Sequence, residues 1–147
     1  MLVRILIVDD DQPMVEMLKG LMQPMASYID STDNLAHAIE MAKVGKFNLI
    51  LFDLKLIGTG KDEALNAIRH LKEDNAVVVV VSGLPQPNLK NEVMAAGADA
   101  FVPKDGTSMT RALLLAANVA IMHLPRESFK SDSFSEHIQL LDKLAHA

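Results

Sequence analysis

Hydrophobic positions along this chain alternate between two spacings. Short, nearly continuous β-rich runs fall at residues 3–8, 27–31, 48–52, 76–81 and 100–102. Between them lie stretches in which apolar residues recur every three or four positions, the spacing of a one-sided helix. The first such stretch follows Asp11, a suitable N-cap, with Pro13 in the first turn, and its face is Met14, Val15, Leu18, Leu21 and Met22. The second is predicted over residues 34–44, stopping at Gly45, where a left-handed cap is natural. The third covers 61–73 with Leu65, Ile68 and Leu71 inward, and the fourth covers 88–96 and stops at Gly97. The fifth covers 108–123 and ends before Pro125. Five strand–helix alternations predict an α/β fold, a doubly wound parallel sheet with helices on both faces and right-handed crossovers. Val77 to Val81 is a valine run with no polar alternation, as in a strand covered on both sides.

Residues 124–147 break this rhythm. Pro125-Arg126-Glu127-Ser128 interrupts the chain, the polar stretch Lys130-Ser131-Asp132-Ser133 follows, and a short amphipathic helix is expected over 134–145. Phe134, Ile138, Leu141 and Leu144 would share its apolar stripe. A helix of about 12 residues is marginal alone. It must dock on its own domain, on a second copy as a homodimer, or on a partner. The expected division is therefore a domain at 1–123 and a C-terminal helical extension at 124–147.

Length and composition narrow the chemistry. A chain of 147 residues fits one domain and buries roughly 70 % of its unfolded surface, so it needs no covalent staple. It contains no cysteine, which removes disulfides, thiolate metal sites and cysteine nucleophiles, and it fits a cytoplasmic setting. The formal net charge is -5 with no basic block, so direct nucleic-acid binding is not expected. No apolar run approaches the roughly 18 residues that span a bilayer, so no membrane association is expected either. The five histidines show no metal-binding spacing.

The chemistry gathers at strand ends. Asp9, Asp10 and Asp11 follow the first run directly, and the run Asn48-Leu49-Ile50-Leu51-Phe52 ends at Asp53. Like charges about 4 Å apart repel by roughly 4 kcal/mol at an effective dielectric near 20, a penalty that a divalent cation or a lysine ammonium removes. Ser82 follows the fourth run and Lys104 the fifth. Open α/β sheets bind ligands at the carboxyl edge where strand order reverses; in the order 2-1-3-4-5 that point lies between the first and third strands. The acids would meet there, in a hard-cation, phosphoryl-handling site.

With Ile5-Leu6-Ile7-Val8-Asp9-Asp10-Asp11, Leu49-Ile50-Leu51-Phe52-Asp53-Leu54, Val79-Val80-Val81-Ser82-Gly83 and Gly97-Ala98-Asp99-Ala100-Phe101-Val102-Pro103-Lys104 in this order, the chain resembles the receiver domains of two-component response regulators over about residues 2–123. The resemblance implies a flavodoxin-like receiver fold with Asp53 as phosphoacceptor. It implies Mg²⁺ held by Asp9, Asp10, Asp53 and the backbone carbonyl of Lys55. Ser82 would bond a phosphoryl oxygen, Lys104 would pair with Asp53, and Ser82 and Phe101 would form the switch. The implied partners are a histidine kinase or phosphotransfer protein and a downstream protein. A dedicated enzyme is not implied beyond self-phosphorylation from a donor and autodephosphorylation.

These residue types suit the task. A carboxylate attacks phosphorus only where the repulsion of two anions is screened, and Mg²⁺ with an ammonium does that. The added phosphoryl charge can then bias a bistable surface. The chain departs from the family pattern at Asp105, where proline usually follows the lysine, at Ile57, where proline is often found, in the two-glycine loop Lys55-Leu56-Ile57-Gly58-Thr59-Gly60 after Asp53, and at Phe101, which lacks a hydroxyl. Two other readings remain. One is a receiver-like domain that binds partners without phosphorylation. The other is a haloacid-dehalogenase-type phosphohydrolase with Asp9 as nucleophile.

Overall fold

The computed structural model describes residues 3–54, 60–72, 76–83, 88–104 and 113–114. Its elements are β1 (Arg4–Val8), α1 (Gln12–Met22), β2 (Tyr28–Thr32), α2 (Leu35–Gly45), β3 (Leu49–Asp53), α3 (Lys61–Leu71), β4 (Val77–Ser82), α4 (Leu89–Ala95) and β5 (Ala100–Pro103). All strands pair in parallel, in the order β2-β1-β3-β4-β5. The order expected from the sequence is the order found.

The pleat divides the apolar residues between two layers. Ile5, Ile7, Leu49, Leu51 and the odd-numbered valines of β4 pack against Val15, Leu18 and Met22 of α1 and against Leu113. Leu6, Val8, Ile50, Phe52, Val78 and Val80 face the opposite layer, built from α2, α3 and α4. Every residue of β3 and β4 is buried, which accounts for their lack of polar alternation. β5 is an edge strand, so the missing N–H of Pro103 breaks no ladder on a central strand.

Capping follows the sequence at α1, where the Asp11 carboxylate accepts the Met14 N–H at 3.3 Å. At α2, Asn34 accepts the His37 N–H at 2.9 Å. The end of α2 differs from expectation. The left-handed residue is Lys46, at φ 53, while Gly45 is the last helical residue. Glycine is still required at position 45, because a Cβ there would stand 2.6 Å from Cε2 of Phe47. At the end of α4 the expected glycine, Gly97, does take positive φ, at 116.

A partly buried clasp joins α3 to β4 and β5. Lys72 Nζ donates to the Ala76 carbonyl at 2.8 Å and stands 2.6 Å from Asp99 Oδ2, which also accepts the Val78 N–H at 2.8 Å.

Several expectations fall outside the described residues: the Lys55 carbonyl and the Gly58-Thr59 loop, the turn after Lys104, and the extension at 124–147. Of the fifth helix, residues 113 and 114 are described and are helical, with Leu113 fully buried.

Candidate functional site

The carboxyl edge of the sheet is assembled from backbone geometry. β1 ends at Val8, and the next residue is tied in place twice. The Asp9 N–H donates to the Thr32 carbonyl at 3.0 Å, and Asp9 Oδ1 accepts the Asp11 N–H at 2.9 Å. The start of α1 therefore aims the Asp9 carboxylate. Asp53 closes β3, paired with Val81 of β4. One carboxylate oxygen each from Asp9, Asp10 and Asp53 lie within 4.8 Å of one another. Asp9 is 2 % exposed and Asp53 4 %, while Asp10 is half-buried.

Such burial is unfavourable for anions, and the carboxyl of Asp9 responds. Burial pushes it up from 3.8 to about 7; the Asp11 N–H works against that, the hydrogen bond and charge of Asp53 add to it, and the Lys104 ammonium opposes it. Asp9, Asp10 and Asp53 are the residues here that could hold a hard cation, which binds oxygen ligands and favours their charged form.

The counter-charge arrives from the far side of a strand. Lys104 follows β5, and its N–H donates to the Ser82 carbonyl at 2.8 Å. Its ammonium stands 3.1 Å from Asp53 Oδ1, reaching past β4 to β3. Ser82 is buried at the end of β4, one residue beyond the partner of Asp53. A Cβ on Gly83 would lie 3.8 Å from the Lys104 stem, so the glycine leaves space above that side chain.

The structure thus brings Asp9, Asp10, Asp53 and Lys104 together, with Ser82 at the adjoining strand end. Phe101 lies on a different layer. It pairs with Val80 and is partly buried against the α2–α3–α4 side. Sequence reasoning did not find the two groups that hold Asp9, the Asp11 N–H and the Thr32 carbonyl. Both belong to the backbone and carry no side-chain signature. The Lys72–Asp99 clasp was also missed, although Asp99 stood within a quoted motif. Among the described residues no helix is long and apolar enough to cross a membrane.

Comparison with known proteins fits this geometry. The family model of the response regulator receiver domain matches residues 5–116. The cell cycle transcriptional regulator CtrA of Caulobacter vibrioides is 25% identical over 101 residues, covering 69% of this chain and 43% of that regulator. This chain therefore spans less than half of that relative. A receiver domain protein from Methanospirillum hungatei JF-1 superimposes with a TM-score of 0.72 at 24% identity, over 87% of this chain and 98% of that one. A response regulator protein from Burkholderia pseudomallei, whose crystal structure holds a phosphorylated aspartic acid, a calcium ion and citrate, gives 0.66 at 23% identity over 88% and 75%. At these identities the two structures carry the fold alone.

Proposed function

This chain belongs to the response regulator receiver domain family of two-component signalling, and on that premise we propose that Asp53 accepts a phosphoryl group from a histidine kinase or phosphotransfer protein. An Asp53 carboxylate oxygen attacks phosphorus, the bond from phosphorus to the donor imidazole nitrogen breaks, and an acyl phosphate remains on Asp53. Asp9, Asp10 and Asp53, with the Lys55 carbonyl, are the residues that would hold Mg²⁺, and the ion would supply the charge that lets two anions meet. Lys104 holds one oxygen of the acceptor and turns to the phosphoryl group once it is attached. The Ser82 hydroxyl donates to a phosphoryl oxygen. Asp9 needs its proton removed before it can serve as a ligand, so loading is expected to release a proton.

The observation that carries this reading is the buried Asp53 carboxylate flanked by two more carboxylates within 4.8 Å and an ammonium at 3.1 Å. Output is a change in protein–protein contacts, with Phe101 and Ser82 as the switch pair. The proposed division is a receiver unit at residues 1–123 and a C-terminal extension at 124–147, in a cytoplasmic setting.

The test is incubation of the full chain with acetyl phosphate and Mg²⁺, followed by intact mass measurement. A phosphate-sized gain that vanishes in Asp53→Asn and on chelation is expected. A gain that survives Asp53→Asn and is lost in Asp9→Asn would instead identify a hydrolase of the haloacid dehalogenase type. No gain at all, together with weak Mg²⁺ binding, would leave a domain that binds partners without phosphorylation.

A further inference from the structure

α4 is the shortest α-helix among the described elements. It has seven residues, no side-chain bond at its N-cap Asn88, and two fully buried anchors, Leu89 and Val93. A helix this short has little stability of its own. Met94 packs partly buried beside them, and among the described residues one ion pair tethers the helix. Lys61 Nζ stands 2.9 Å from Glu92 Oε2 and 3.3 Å from Oε1, so both oxygens of the acid face the ammonium. The pair is half-open to solvent, at 46% and 34% side-chain exposure.

The ends of this tether are not arbitrary. Lys61 is the first residue of α3, and residues 54–60 connect it directly to Asp53. Glu92 lies in the first turn of α4, and residues 83–88 connect that helix to Ser82. A lysine is electrostatically misplaced at a helix N-terminus, where the backbone dipole favours anions. The neighbouring Asp62 and Glu63 suit that position, and Lys61 instead reaches away to α4.

We infer that the Lys61–Glu92 pair is a latch that holds α4 in the arrangement of the unmodified domain, resting on the reading of Asp53 as the phosphoacceptor. It cross-links the far ends of the two segments that leave the site. A pair this exposed contributes little absolute stability, yet that amount suffices to bias two arrangements of a weakly held helix. Whatever opens the latch then favours the modified arrangement, and modification favours opening in equal measure.

The test uses hydrogen exchange across residues 89–95 in the full chain, alongside intact mass after acetyl phosphate and Mg²⁺. In the unmodified protein, Lys61→Met and Glu92→Gln should each speed exchange of the α4 amides by about two- to fivefold and leave the β3 and β4 amides unchanged. High salt should do the same to the wild type and nothing more to the variants. Lys61→Glu combined with Glu92→Lys should restore slow exchange, and once Asp53 is modified the wild type and the single variants should exchange alike. Unchanged α4 exchange in both single variants, or a charge-swapped pair no slower than they are, overturns the latch. A wild type that takes up no phosphoryl mass overturns the phosphoacceptor reading instead, and the exchange of the unmodified proteins still decides whether the tether holds α4.

Discussion

Lys104 and Asp53 meet across an intervening strand. The ammonium from the end of β5 lies 3.1 Å from an oxygen at the end of β3, with β4 between them. The pair is mostly buried, at 18% and 4% side-chain exposure, so removing the cation strands an anion rather than merely losing an attraction. Lys104→Ala is expected to destabilise the metal-free domain by about 1–3 kcal/mol near neutral pH. Partner binding should also lose its dependence on phosphorylation. Urea unfolding and partner affinity with and without acetyl phosphate check the two effects, and an unchanged affinity difference would remove Lys104 from the switch.

Stability should fall with rising pH when metal is absent. The Asp9 carboxyl sits near 7 in the folded protein against 3.8 for an ordinary aspartate, chiefly through burial. The folded state thus keeps a proton that the unfolded chain gives up. The resulting stabilisation is complete below about pH 4 and disappears as pH climbs through about 7, a loss on the order of 2–4 kcal/mol. Mg²⁺ should act in the opposite sense, binding more tightly as pH rises, because it requires the charged carboxylate. Unfolding midpoints with chelator and with Mg²⁺ at about pH 5 and about pH 8 separate the two trends. A chelated protein with a flat profile would contradict this account of Asp9.

Asp9→Asn should trade function for stability. The amide removes a buried negative charge from a cluster of three, so the chelated protein is expected to gain about 1–2 kcal/mol while Mg²⁺-dependent mass gain collapses. Thermal unfolding with chelator reads the first effect and intact mass the second. Because the Asn Oδ1 can still accept the Asp11 N–H, a variant less stable than the wild type would show that the repulsion among the three acids is not the dominant cost.

Two glycines should respond in opposite directions. Gly45→Ala drives a methyl to within 2.6 Å of the Phe47 ring and should cost about 1–3 kcal/mol. Gly20, within α1, has no atom within 4 Å of a built Cβ, so Gly20→Ala should stabilise by about 0.5–1 kcal/mol. Chemical denaturation of both variants is sufficient, and equal signs would contradict the packing explanation for Gly45.

The parts legible in the sequence were those written in side-chain type and period. Apolar runs that stop at acids marked β1 and β3 and supplied Asp9, Asp10 and Asp53. The valine run marked β4, and the alternation of runs and helical stretches gave the parallel sheet. What was not legible depends on contacts between distant segments. The end of α2 falls one residue later than expected, with Lys46 left-handed, and the glycine at 45 answers instead to the Phe47 ring, a contact from beyond the turn. The Lys72–Asp99 clasp joins α3 to the β5 entry through a backbone N–H of β4, and nothing in the local pattern of either residue announces it. β2 runs one residue later than expected, since its register is set by pairing with β1 and its own sequence, Tyr-Ile-Asp-Ser-Thr, alternates weakly.

The pleat assigns odd positions of β1 and β3 to the α1 layer, and Asp9 and Asp53 continue that count. Inserting a single residue into either strand would turn its terminal acid toward the opposite layer, whereas inserting two would lengthen the strand and restore the orientation. Strand length therefore matters as well as parity: two added residues carry the acid about 6.6 Å further along the sheet, beyond the 4.8 Å that encloses the three carboxylates, so variants with one or two inserted residues should both fail to gain phosphate mass.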